Sequence, residues 1–163
     1  SAVVETGKEM SVTYNQLTNT SNGKEEWISK ASHMQRRGRA GRTAEGRCFC
    51  LFTEEEFEAM PEYSTPSIEK TDLVPFYLKM IASGHKPSQF ELLDMPAQER
   101  TEAALATLQE LDAIDGEISI TEMGEMMSML PVDPMMARCI VASTSLGVCA
   151  EVSIIAALVS QRK

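Results

Sequence analysis

Apolar and polar positions alternate at the start of the chain and give way to helical spacing after residue 71. Ala2-Val3-Val4 is a short apolar run, and Met10, Val12 and Tyr14 fall on every second position, so residues 1–18 are expected to be extended. Asn19 to Gly23 is a turn cluster and Glu26-Trp27-Ile28 a candidate returning strand, which together predict a β-hairpin over 9–28. Ser29 is a candidate N-cap for a helix running to about Arg39, with its end loosened by glycines at 38 and 41. Gly46 opens a strand over 47–52. Thr53-Glu54-Glu55-Glu56 has capping-box spacing for a short acidic helix ended by Pro61, and Thr65-Pro66 resembles another helix start.

The second half carries longer periodic segments. Leu73, Phe76, Tyr77, Met80 and Ile81 predict a helix stopped by Gly84. After Asp94-Met95-Pro96 a second helix presents Thr101, Ala104, Leu105, Leu108 and Leu111 on one stripe. Residues 113–120 read as a tight turn between two short strands. Thr121 caps a third helix bearing Met123, Met126, Met127 and Leu130, and two more apolar helices follow over about 135–146 and 150–161. Helix, helix, small hairpin, helix is compatible with a winged helix.

Composition narrows this picture. A chain of 163 residues that is 43% hydrophobic can bury the core of one domain or two small ones. It begins at Ser1 and ends just after an apolar helical pattern, as expected of a piece of a longer polypeptide. No apolar run approaches the roughly 18 residues of a membrane span, so an intracellular protein without membrane partners is expected. Cys48 and Cys50 share one face of a strand at a spacing wrong for a metal knuckle, and are expected to be buried free thiols. No metal-ligating set stands out. His33 and His85 read as ordinary helix and loop residues, and the eleven methionines as core filler.

The net charge of −9 argues against a broad nucleic-acid surface, but residues 24–47 hold seven basic against three acidic side chains, a local +4. Positive charge is therefore concentrated around Gln35-Arg36-Arg37-Gly38-Arg39-Ala40-Gly41-Arg42. The polar face of the second predicted helix, with Glu99, Glu102 and Glu110 against Arg100, is net acidic and unsuited to a DNA groove.

A helix turns about 100° per residue, which puts Arg39 about 40° and Arg42 about −20° from Gln35 if the helix persists. One amide and two guanidinium groups would then share a face. Gly38 and Gly41 would lie on another, allowing close backbone packing, while Arg36 and Arg37 need different partners. Fixed guanidinium groups suit a phosphate chain, because they stay charged and form bidentate bonds to phosphate oxygens. A glutamine is suited to orienting an attacking water. A solvated basic loop, or a disordered Arg-Gly segment, is the competing reading. The position of the run between a capped helix start and a strand weighs against disorder.

The run resembles motif VI of superfamily 2 helicases, and Ser29-Lys30-Ala31 ahead of it resembles the form found in DExH/DEAH-box RNA helicases. Glu26-Trp27 is similar to the RNA helicase A-like branch. Thr65-Pro66-Ser67-Ile68, Leu108-Gln109-Glu110-Leu111-Asp112-Ala113-Ile114, Thr121-Glu122-Met123-Gly124 and Leu130-Pro131-Val132-Asp133-Pro134 also resemble that family's later regions. The resemblance implies an α/β plus mainly α fold. Residues 1–68 would be the C-terminal part of a second RecA-like domain, 69–132 a winged helix, and 133–163 the start of a helicase-associated helical bundle.

It further implies that Gln35, Arg39 and Arg42 face ATP phosphates, with Arg39 and Arg42 as arginine fingers, and that Ser29 or Lys30 contacts RNA or stabilises the motif. The 9–28 hairpin stands where such helicases carry a strand-separating hairpin. The implied cofactors are ATP and Mg2+, and the implied partners RNA, an upstream RecA-like domain of the same polypeptide, and protein cofactors, in nucleus or cytoplasm. The sequence contains neither a GxxxxGK[ST] loop nor an Asp-Glu-x-His motif, so this stretch alone is expected to be inactive. The alternative is a non-catalytic winged-helix interaction module with a degenerate motor remnant.

Overall fold

The computed structural model describes residues 1–15, 18, 20–89 and 92–160. The chain separates into two compact units that meet in sequence at Thr71 and Asp72.

In the first unit, strand β1 (Ala2–Glu5) pairs in parallel with β4 (Arg47–Cys50), Ala2 opposite Arg47 and Glu5 opposite Cys50. Parallel strands require a long crossover. Here it consists of an antiparallel hairpin, β2 (Lys8–Asn15) with β3 (Thr20–Trp27), followed by helix α1 (Lys30–Arg37). The hairpin prediction holds, but the turn cluster was misplaced. Thr20 to Gly23 belong to β3 and pair with Asn15 to Val12, while Asn19 lies outside the described residues. Turn propensity over 20–23 is overridden by the cross-strand ladder.

Gly7, with φ of +73°, joins β1 to β2, and a Cβ there would meet Phe52 at 2.7 Å and Trp27 at 2.8 Å. Only glycine fits this corner. Trp27, Phe52, Phe57 and His33 build the small core around it. The His33 ring is buried and meets Phe52 and Phe57 edge-on at 5.5 and 5.3 Å.

Helix α2 (Glu54–Glu58) has both capping-box bonds expected from Thr53 and Glu56. A 3-10 turn (Ser67–Glu69) replaces the helix expected after Thr65-Pro66. Val4, Phe49 and Leu51 stay exposed, because β1 and β4 have no further strand or helix over those positions among the described residues.

The second unit contains α3 (Val74–Ala82), α4 (Gln98–Glu110), α5 (Glu122–Ser128), α6 (Pro134–Leu146) and α7 (Cys149–Ser160). Helix α3 packs on α4 and α5, and α6 on α5 and α7. The centre is formed by Leu73, Ala104, Leu108, Ala113, Met127 and Ala137, all buried. The predicted stripe on α4 is thus real, with Ala104 and Leu108 at its middle. The expected pair of short strands over 113–120 shrinks to a single bridge, Ile114 to Ile120. Asp115 Oδ1 accepts from the backbone N–H of Glu117 and Ser119, both at 2.9 Å, and holds this turn closed.

Two expectations about side chains fail. Only Met60, Met80 and Met127 of the eleven methionines are buried, whereas Met10, Met34, Met95, Met126, Met129 and Met135 are exposed. Helical spacing indicates a stripe but does not fix its edges, and Met126 and Met129 flank the buried Met127. The cysteines are free, but none is buried: Cys48 and Cys149 are half-buried, Cys50 and Cys139 exposed. No helix among the described residues is long and apolar enough to cross a membrane.

Helix α5 has only seven residues, so its cap matters more than in a long helix. Thr121 Oγ1 accepts from Gly124 N–H at 3.0 Å and donates to the Asp112 carbonyl at 2.6 Å. Thr121→Ala removes both bonds and is expected to cost about 1–2 kcal/mol, read as a lower denaturant midpoint with an unchanged m-value. A midpoint equal to wild type would show that water replaces both bonds without loss.

Candidate functional site

The arginine run starts on a helix whose first turn is braced from within the fold. The first four N–H groups of a helix have no intrahelical acceptor. In α1, Lys30 N donates to Pro61 O at 2.9 Å, Ala31 N to Glu62 O at 3.1 Å and Ser32 N to Ser29 Oγ at 3.1 Å, after which His33 N to Ser29 O at 2.9 Å is the first bond of the helix itself. Ser29, only 2% exposed, also donates to Ser32 Oγ and accepts from Ser64 Oγ at 3.0 Å. Lys30 lies 3.7 Å from Glu58 and 4.0 Å from Glu62. Both residues therefore have partners inside this unit that brace the start of the motif helix.

The other end departs from the helical-wheel expectation. Helix α1 stops at Arg37 rather than near Arg39. Arg39 N, Ala40 N and Gly41 N then donate to carbonyls three residues back, those of Arg36, Arg37 and Gly38. This tightens the chain into a turn. Arg39 and Arg42 consequently sit on a turn and beyond it, and angles reckoned on an unbroken helix do not apply to them.

Ala40 pins that turn. It is buried, and its carbonyl accepts from Ser1 Oγ. A Cβ on Gly46 would approach the Ala40 oxygen to 2.1 Å and the Ser1 oxygen to 2.8 Å. Close packing was expected of Gly38 and Gly41. A Cβ at Gly41 would touch nothing within 4 Å, and one at Gly38 would meet only backbone of its own helix at 3.4 Å. Gly46, six residues after Ala40 in sequence, is the position that has to be glycine.

On this pinned frame Gln35, Arg39 and Arg42 are all exposed, and their side chains form no hydrogen bond or ion pair among the described residues. Two neighbours behave differently. Arg37 lines a shallow depression of about 430 Å³ with Gly38, Ala40, Gly41, Gly46 and Cys48, a space that Gln35, Arg39 and Arg42 do not line. Burial pushes the Cys48 thiol up, Cys50 adds to that shift and Arg37 opposes it, so Cys48 remains a thiol rather than a nucleophilic thiolate at neutral pH.

Arg36 turns inward. Its Nη1 donates to Glu5 Oε1 at 3.1 Å and its Nη2 to Glu9 Oε2 at 3.0 Å, while Nη1 also lies 3.4 Å from the Lys8 carbonyl. Sequence reasoning noted that Arg36 needed a partner but had no means of finding these two. Gln35 on α1, Arg39 on the turn and Arg42 beyond it thus present an amide and two guanidinium groups that an anion could meet from solvent. Among the described residues no group of His, Cys, Asp and Glu is arranged to hold a metal ion.

The chain resembles known proteins in its sequence and in its fold. The winged-helix part of the helicase-associated domain (HA2) family matches residues 104–132, which run from within α4 through α5. A mouse protein named "Probable ATP-dependent RNA helicase DHX34" is 33% identical over 159 residues, covering 97% of this chain and 14% of that protein. The Haemophilus influenzae "ATP-dependent RNA helicase HrpA homolog" is 36% identical over 141 residues, 82% of this chain and 11% of that protein. A crystal structure of the Escherichia coli DEAH/RHA helicase HrpB superposes with a TM-score of 0.90 at 29% identity, covering 99% of this chain and 21% of that one. This chain thus spans a small share of each relative.

Proposed function

The chain is a segment of the DExH/DEAH-box helicase type, and from that premise we propose that it forms part of an ATP-dependent RNA helicase and supplies its arginine fingers. The observation that carries this reading is the exposure of Arg39, on the turn braced by Ala40 and Gly46, and of Arg42 just beyond it. A side chain without an internal partner gives up nothing to meet a phosphate, and a fixed backbone spares the entropy of positioning it. Gln35 on α1 would orient the attacking water. When bound, ATP with Mg2+ supplies the phosphoryl group to be transferred.

Residues 1–68 are read as the end of a RecA-like domain, supported by the parallel β1–β4 pair with α1 in its crossover. Residues 69–132 are read as the winged helix, and 133–163 as the first helices of the bundle that follows. The exposed Val4, Phe49 and Leu51 suit a parallel sheet whose faces are covered by earlier segments of the same domain. RNA is the substrate in this reading, the β2–β3 hairpin its strand separator, and the site of action intracellular.

The test is ATP hydrolysis with and without single-stranded RNA, by the parent polypeptide and by this 163-residue chain alone. RNA-stimulated turnover by the parent and none by the isolated chain is the expected result. Absence of turnover in a folded parent would replace the helicase reading with a winged-helix interaction module carrying a motor remnant.

A further inference from the structure

Arg36 belongs to the arginine run yet does not face solvent with Arg39 and Arg42. Its two nitrogens hold carboxylates from two different elements, Glu5 at the end of β1 and Glu9 near the start of β2. Glu5 is 3% exposed, and its Oε1 also accepts from Gly7 N–H at 3.2 Å, so the carboxylate that fixes the corner into the hairpin is the one Arg36 neutralises. Glu9 stands opposite Glu26 across the hairpin, a like-charge pair that destabilises a ladder unless each member has a counter-charge. Arg36 serves Glu9 at 3.0 Å, and Lys70 serves Glu26 at 3.9 Å. A planar guanidinium fork holds two carboxylates in fixed directions, which a lysine ammonium, a rotating point charge, does not.

We infer that Arg36 is a positioning residue: a strut that ties the turn carrying Arg39 and Arg42 to the base of the β2–β3 hairpin, so that the hairpin moves with the nucleotide state. This rests on the reading of Arg39 as a finger and of the hairpin as a strand separator. Arg36 is followed within three residues by Arg39, and the intervening Arg39 N–H bond to Arg36 O leaves little slack between them. A displacement of the turn on release of phosphate is therefore passed to Glu9, at the hairpin base, through Nη2 and to Glu5, at the end of β1, through Nη1.

Arg36→Ala is a poor probe because it would strand the buried Glu5 carboxylate and endanger the fold. Glu9→Ala removes only the hairpin-side arm at a residue whose side chain is 33% exposed. In the parent polypeptide it is expected to keep RNA-stimulated ATP turnover within about twofold, while base pairs unwound per ATP fall about fivefold, a typical coupling effect. Arg36→Lys, which keeps the charge but loses the fork, should show the same split. A structural role alone would move stability and leave the unwinding-to-hydrolysis ratio untouched. An unchanged ratio in both variants overturns the strut. Arg39→Ala, measured alongside, separates the two ideas: if it leaves hydrolysis intact, the finger reading falls and the strut with it, whereas hydrolysis lost in Arg39→Ala with an unchanged ratio in Glu9→Ala overturns the strut alone.

Discussion

Replacing Arg39 by alanine in the parent polypeptide is expected to lower RNA-stimulated ATP turnover about a thousandfold, the lower end of what an arginine finger contributes in other nucleotide hydrolases. The size follows from where the charge acts. In the proposed reading, negative charge spread over the transferring phosphoryl oxygens would be met by a guanidinium already in place, so that little reorganisation is needed at the moment of reaction. Arg39→Lys should recover little of the loss, since a lysine offers no bidentate fork.

Folding should be unaffected. Arg39 is exposed and has no side-chain partner among the described residues, and such substitutions typically change stability by less than about 0.5 kcal/mol. The measurement is steady-state hydrolysis at saturating RNA together with a melting curve. A loss of turnover with an unchanged melt supports the finger. Turnover that does not depend on Arg39 removes it, and a lowered melt would mean that the side chain has a structural partner instead.

The second large effect concerns stability. Gly124→Ala is expected to destabilise the second unit by about 3 kcal/mol or more, the upper range for forcing a methyl group into a filled site. A Cβ at Gly124 would come within 2.0 Å of the Ala113 oxygen, 2.9 Å of its carbon and 2.6 Å of Ile120 Cδ1. The isoleucine tip can rotate away, but the carbonyl cannot. It accepts the Thr121 N–H at 3.1 Å, and the same loop is joined to the cap through Thr121 Oγ1 and Asp112.

Helix α5 would have to lift off Ala113, which would break its own cap and expose Met127, 1% accessible in the native packing. Denaturant unfolding of the chain reports this as a shifted midpoint for the second unit. Gly41→Ala is the control, because a Cβ there meets nothing within 4 Å. Equal midpoints for Gly124→Ala and wild type would show that the 113–124 loop yields at no cost.

Much of this fold was legible locally. Ser29, Thr53 and Thr121 announced their helices because a capping side chain acts on N–H groups two or three residues away, and all three caps are present. Gly84 ended its helix through a positive φ, again a property of a single residue. The arginine run marked the candidate site by residue type alone, and the period of Ala104 and Leu108 marked the core face of α4. The errors were also local. Thr20 to Gly23 favour turns yet form half of a strand, and α1 stopped short of the arginines it was expected to carry.

The sequence by itself determined which residues could bind an anion, where most helices begin, and that the charge is concentrated in one place. Only the tertiary structure decided that Arg36 is held by two carboxylates while Arg39 and Arg42 have no side-chain partner among the described residues, that Gly46 and not Gly41 is the crowded glycine, and that β1 lies beside β4. Capping, periodicity and turn chemistry act over a few residues and are written in the chain. The partners of Arg36, in contrast, are 31 and 27 residues away, and the crowding at Gly46 includes the backbone of Ser1. Such contacts depend on how distant segments fold back on one another, which no local pattern specifies.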